Sequence, residues 1–184
     1  MDSKLIRTPL RELQPDLDLG TRVDIPAEGC LNVTAQTRDR RGRQIGGWRR
    51  GQGDAGMEFK GGCLCGAVRY RIDGPLRNVI ACHCTQCRRQ SGHYGTYAAA
   101  PLESFSLEKE TTLSWYRSSD SAQRAFCRMC GSNLFWKETG GADISVTAGT
   151  LDSPTGLSIA EHIFCQNKGD YYEITDGKPQ KPQW

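Results

Sequence analysis

The chain has 184 residues, of which 37% are hydrophobic, with a mean hydropathy of −0.58 and a formal net charge of +3. A chain this short and polar builds one modest core with sequence to spare, and it has no apolar run near the roughly 20 residues that span a bilayer. The mild charge makes no electrostatic case for nucleic acid, and the opening MDSKLIRTPLRELQPDLDLG lacks the apolar stretch of a secretory signal. A soluble, cytoplasmic protein with no membrane partner is expected.

Composition changes near Met57. Residues 1–56 carry little strand or helix periodicity and run into RDRRGRQIGGWRRGQGDAG, rich in Arg and Gly. They are expected to form a disordered N-terminal extension. Arginines on a flexible backbone also suit RNA phosphates, but a solvated tail is the simpler and favoured account of them.

From residue 57 to 184 the pattern predicts a single folded domain, mainly β. MEFKGGCLCGAVRY opens like a first strand, and Val68, Tyr70 and Ile72 then alternate with Arg69 and Arg71. Further short strands are expected around 79–81, 94–99, 112–116, 133–136, 144–148 and 159–164, separated by Gly, Pro, Asp and Ser. One helical turn is expected over 85–90. No internal repeat is present.

Seven of the nine cysteines fall into three clusters. Cys63 and Cys65 form C-x-C. Cys82, Cys84 and Cys87 form C-x-C-x-x-C, and Cys127 and Cys130 form C-x-x-C before Gly131. Close pairs joined by a turn present two thiolates to one tetrahedral ion, and zinc is the ion that such sulfur sets select. Seven ligands exceed one site, so two zinc ions per chain are expected. The pairs Cys63/Cys65 and Cys127/Cys130 would close a structural site, contributing on the order of 10 kcal/mol of binding free energy to folding. The trio supplies three ligands and leaves the fourth position open, the ligand count of a catalytic zinc.

Alternatives stand beside this reading. The trio would equally serve a second structural site completed by another side chain, or three thiols beside a single zinc. Disulfides would require an oxidising compartment. His83, between two ligands in an extended C-x-C, should point away from the metal. His93 and His162 read as packing or surface residues, and Cys30 and Cys165 as ordinary cysteines.

These motifs resemble a known family. Gly62-Cys63-Leu64-Cys65-Gly66, then Cys82-His83-Cys84-x-x-Cys87-Arg88 with Gly92, then Phe126-Cys127-x-x-Cys130-Gly131 are similar to the glutathione-dependent formaldehyde-activating enzymes, a family that includes the centromere protein V type of domain. Gly149-x-Leu151-Asp152, His162-Ile163-Phe164 and Tyr171-Tyr172-Glu173-Ile174 extend the match over about residues 57–181. The resemblance implies a zinc-stapled β-tent fold of small antiparallel sheets. It implies a structural zinc on Cys63, Cys65, Cys127 and Cys130, and a catalytic zinc on Cys82, Cys84 and Cys87 whose open position receives the sulfur of glutathione. The implied activity is that of a carbon–sulfur lyase, forming S-(hydroxymethyl)glutathione from glutathione and formaldehyde. Residues 1–56 have no counterpart in it.

The chemistry sets its own limit. A thiol of pKa about 8.5 is about 3% ionised at pH 7, so full ionisation gains roughly thirtyfold, about 2 kcal/mol. Coordination returns part of that gain, so positioning and an oxyanion donor must supply the rest. Arg88 and His162 are donor candidates by type, and Arg88 would equally suit a glutathione carboxylate. A non-catalytic zinc-stapled module that binds a thiol or a protein remains the alternative function. A thiol redox role would need metal-free thiolates of low pKa.

Overall fold

The computed structural model describes residues 57–184. The expected disorder of residues 1–56 and the reading of Cys30 lie outside them. Ten strands and one helix follow in order: β1 (Glu58–Gly62), β2 (Arg69–Asp73), β3 (Arg77–Cys82), α1 (Thr85–Ser91), β4 (Gly95–Pro101), β5 (Phe105–Lys109), β6 (Leu113–Ser119), β7 (Ala122–Cys127), β8 (Asn133–Glu138), β9 (Asp143–Thr147) and β10 (Ile159–Ile163). The mainly β expectation holds.

The strands form two sheets. One is three-stranded in the order β1-β2-β5, and the other seven-stranded in the order β10-β3-β4-β9-β8-β7-β6. Pairing is antiparallel except at one place, where β10 lies parallel to β3 and sets Ile163 beside Cys82. The carboxy-terminal segment continues outward from this edge, with Lys181 donating to the His162 carbonyl and His162 donating to the Pro179 carbonyl.

The main core lies between the sheets. The alternation read in β2 is real: Val68, Tyr70 and Ile72 are fully buried, against Ala98, Leu134, Phe135, Ile144 and Val146 of the larger sheet. Tyr70 and Phe105 each meet Phe135 edge-on with ring centroids 5.1 Å and 5.1 Å apart. Each such side chain, fully buried, stabilises the fold by about 1.5–3 kcal/mol. The Tyr70 hydroxyl is satisfied by Thr150 Oγ1 at 2.8 Å, which in turn donates to the Thr147 carbonyl. A second, smaller cluster of Ile80, Cys82, Cys87 and Ile163, lined by Cys84, Tyr97 and Phe164, sits at the β3–β4–β10 end.

Strands β5 and β7 were not expected. In β7, Ala122, Arg124 and Ala125 are buried while Gln123 is half-buried. Small residues and a buried arginine give no apolar alternation to read.

Candidate metal centres

The seven clustered cysteines form two groups, and within each the sulfur atoms lie within 4.8 Å of one another. All eight cysteines of the described residues are free thiols, and Cys165 belongs to neither group.

The first group joins Cys63 and Cys65, on the turn between β1 and β2, to Cys127 at the end of β7 and Cys130 just after it. Two of its Sγ–Sγ separations are 3.5 and 3.7 Å. A tetrahedron with sulfur at about 2.3 Å from its centre has edges of about 3.8 Å, so this donor set fits a tetrahedral ion. Both turns end in a left-handed glycine, Gly66 at φ 74° and Gly131 at φ 73°, a conformation that side chains disfavour. Neighbours hold the sulfurs in place. The Val68 N–H donates to Cys63 Sγ at 3.2 Å, and the Thr112 hydroxyl lies 3.1 Å from Cys127 Sγ. Ser132 Oγ lies 3.2 Å from Cys130 Sγ and accepts from the Leu64 N–H at 3.0 Å, tying the two turns together. The Ser132 hydroxyl and backbone N–H hold the Cys130 thiol down to about 5.

The second group comes from one short stretch. Cys82 ends β3, Cys84 caps α1 and Cys87 sits in its first turn, with the Cys87 N–H donating to Cys84 Sγ at 3.4 Å. Donation from Cys82 and Cys87, then from the backbone, pulls the Cys84 thiol strongly down, while Cys82 is pushed up by serving Cys84. Among the described residues no fourth Cys, His, Asp or Glu atom joins this group. Three convergent sulfurs suit a soft or borderline divalent ion with one position left for an exogenous ligand.

His83 does point away from the sulfurs. Its ring is fully buried, with Nε2 2.9 Å from His162 Nδ1 and Nδ1 hydrogen-bonded to the Tyr172 hydroxyl. His162 Nε2 reaches the Asp176 carboxylate at 2.9 Å. With one proton per ring the chain runs in one direction: Tyr172 O–H to His83, His83 N–H to His162, and His162 N–H to Asp176. Burial first, then His162, holds His83 at about 4, so it is neutral near pH 7. Both nitrogens of His162 are engaged, which removes it as an oxyanion donor. His93 lies against the same cluster, 4.3 Å from the Tyr172 ring centroid. The packing reading of both histidines therefore stands. Arg88 makes no side-chain hydrogen bond among the described residues, and its Nε is buried and unpartnered.

The largest omission from the sequence reading is Arg124. This buried side chain of β7 reaches across to α1, donating to Tyr97 OH at 2.8 Å, Gln86 Oε1 at 3.2 Å and Cys87 Sγ at 3.5 Å. Burial works against its charge, and the pull of Tyr97 and Cys87 outweighs that, so its pKa lies above the ordinary guanidinium value. Only the β6-β7-β8 pairing brings it there, and nothing local in the sequence signals it. Phe164, which also lines this group, adopts a left-handed backbone at φ 55°, costing roughly 1–2 kcal/mol for a side chain of its size.

Residues 58–167 match the family model described as "Glutathione-dependent formaldehyde-activating enzyme", more than half of the chain. The chain belongs to this family. An "Uncharacterized lyase" of Schizosaccharomyces pombe is 25% identical over 126 residues, covering 65% of this chain and 87% of its own length. A "Putative glutathione-dependent formaldehyde-activating enzyme" of Halomonas elongata is 27% identical over 132 residues, covering 64% of this chain and 82% of its own. The crystal structure of a Rhodobacter sphaeroides protein overlaps 66% of this chain and 98% of its own at 20% identity and a TM-score of 0.46. Among the described residues of this family member, no helix is long and apolar enough to cross a membrane.

Proposed function

We propose that this chain is a zinc-dependent carbon–sulfur lyase that forms and cleaves S-(hydroxymethyl)glutathione, in a domain spanning residues 57–184 with residues 1–56 as an extension. The observation that carries this reading is the three-sulfur group that no fourth Cys, His, Asp or Glu among the described residues completes. Family membership and the lyase and formaldehyde-activating names of its relatives support it.

Cys63, Cys65, Cys127 and Cys130 would hold a structural zinc, and Cys82, Cys84 and Cys87 a catalytic one. Zinc in the trio site would supply a Lewis-acid position for a fourth sulfur, held there as thiolate near neutral pH. In the synthetic direction the glutathione sulfur forms a bond to the carbonyl carbon of formaldehyde. The carbonyl π pair moves to oxygen, and that oxygen takes up a proton to leave a hydroxymethyl thioether. The reverse breaks the same carbon–sulfur bond. The chain's own part is to fix the three sulfurs with β3 and α1, anchor the turn through His83, and keep the small core of Ile80, Ile163 and Phe164 dry beside them. Free cysteines throughout the described residues suit a reducing compartment such as the cytoplasm.

Zinc content per chain and turnover of glutathione with formaldehyde, followed by NMR of the hydroxymethyl product, test the proposal together. Two zinc ions and accelerated equilibration support it. Two zinc ions with no acceleration would leave a thiol-binding module, and one zinc ion that stays at one after added zinc and glutathione would reduce the chain to a stapled scaffold.

A further inference from the structure

Arg124 is the one buried lysine or arginine among the described residues, and none of the ion pairs there includes it. A guanidinium withdrawn from water without a negative partner costs several kcal/mol. Its three acceptors are therefore informative. Gln86 is neutral, and its amide is oriented by donation from Nε2 to the Ser118 carbonyl at 2.8 Å, which turns Oε1 toward Arg124. Tyr97 offers a phenol hydroxyl at 2.8 Å. Of the three acceptors only Cys87 belongs to the sulfur group, where a bound metal would hold it as thiolate, and its sulfur lies 3.5 Å from Arg124 Nη2. The Arg124 Nε is buried and makes no hydrogen bond, so the fork is not fully used by neutral acceptors.

We propose that Arg124 is the counter-charge of the three-cysteine site, strengthening its hold on a divalent cation and on an anionic fourth ligand. This rests on the reading of the trio as a metal site. Three thiolates and a divalent ion leave one net negative charge, which the guanidinium cancels. A thiolate arriving as fourth ligand then brings the site to a single negative charge instead of two, in a partly desolvated setting where charge is costly. Among the described residues the four-cysteine site has no such buried cation against its sulfurs. Its sulfurs are served by Val68, Thr112 and Ser132, all neutral donors. Arg124 is thus a positioning and charge-balancing residue, and it touches the ligand sulfur, not the reacting carbon.

The test uses the full chain loaded with cobalt(II), whose thiolate absorption reports each site, in competition with a chelator of known affinity. Cys84→Ser identifies which phase of the titration belongs to the trio. Arg124→Met is expected to weaken the trio phase by about 10–100-fold, the usual effect of losing a residue that supports a metal ligand, and to leave the four-cysteine phase unmoved. Glutathione, titrated into the cobalt form as fourth ligand, should bind more weakly to the same variant. Arg124→Lys should regain most of the lost affinity. An unchanged trio phase in Arg124→Met, an equal loss at both sites, or a Lys variant as weak as the Met variant overturns the proposal. Wild-type protein that binds a single cobalt overturns the functional reading as well, whereas two bound cobalt ions with an indifferent Arg124 overturn this inference alone. Should Arg124→Met not fold, Arg124→Gln and Arg124→Lys decide. A trio phase weakened in the Gln variant and held in the Lys variant, with the other phase fixed, supports the proposal, and any other pattern refutes it.

Discussion

The two cysteine clusters present the same chemistry to opposite ends. The four-cysteine group joins two turns that are distant in sequence, and its second pair of sulfurs is there because the fold brought it. Its supports are a backbone N–H and two hydroxyls, which fix geometry and add no net charge. The trio is contained in one strand end and one helical turn, so its geometry is local, and it borders a buried cation. A group that spans the chain contributes to folding. On the proposed reading, a metal held in one turn would contribute little to folding and would leave a position open to an exchanging ligand. The difference lies in loop closure and charge, not in the type of ligand.

Substitutions can break that contrast. The largest effect is expected from Cys127→Ser, which removes a fully buried sulfur from the chain-spanning group. The binding free energy of such a site, on the order of 10 kcal/mol, rivals the whole stability of a small domain, so this variant should lose its cooperative thermal transition. Cys84→Ser should instead keep that transition, because serine is itself a good helix cap at the start of α1. It should lose one metal ion per chain, and with it at least a hundredfold in turnover. Calorimetry and elemental analysis of the pair decide the matter, and equal destabilisation in both would erase the distinction drawn here.

A smaller effect sharpens the picture of how the first group is held. Ser132→Ala removes the hydroxyl that links the Leu64 N–H to the Cys130 sulfur and should cost about 1 kcal/mol. A denaturant titration checks this, with the trio's metal affinity expected to stay as it was.

The smallest expected effect is at the far side of the same group. Arg69 and Asp152 form a two-pronged pair, 3.1 Å for its longer contact, that joins β2 to the segment after β9. Hydrogen bonding to Arg69 lowers the Asp152 pKa below its ordinary value. A lowered folded-state pKa gives stability that is present above the unfolded value of about 3.9 and is lost as pH falls through the folded one. The pair is half exposed, so the contribution is about 0.2–1 kcal/mol at pH 7. Asp152→Asn should remove it at pH 7 and change progressively less as pH falls through the lowered folded-state value. A pH-independent loss in Asp152→Asn would show that the pair acts by packing alone.

Much of the architecture was legible in residue order. The period-two run at Val68, Tyr70 and Ile72, the turn after Cys82, and the grouping of seven cysteines into four and three all stand in the fold. So does the direction of the His83 ring, because in an extended C-x-C the middle side chain must face away from its neighbours. β5 was missed as a short five-residue strand, and β7 because alanines and an inward arginine mimic a polar loop. The parallel pairing of β10 with β3 was likewise not read, since strand direction within a sheet leaves no mark on either segment.

What the sequence determined by itself is which sulfurs lie together within a turn, since that spacing is a local geometric quantity. What tertiary structure alone decided is the company each centre keeps. The order of strands across the seven-stranded sheet carries Arg124 to Cys87, and the carboxy-terminal segment carries Tyr172 and Asp176 to the histidine chain behind Cys82 and Cys84. Contacts of that kind depend on which strands are neighbours, and strand neighbourhood follows from burying all the apolar faces at once, a condition that no single segment contains.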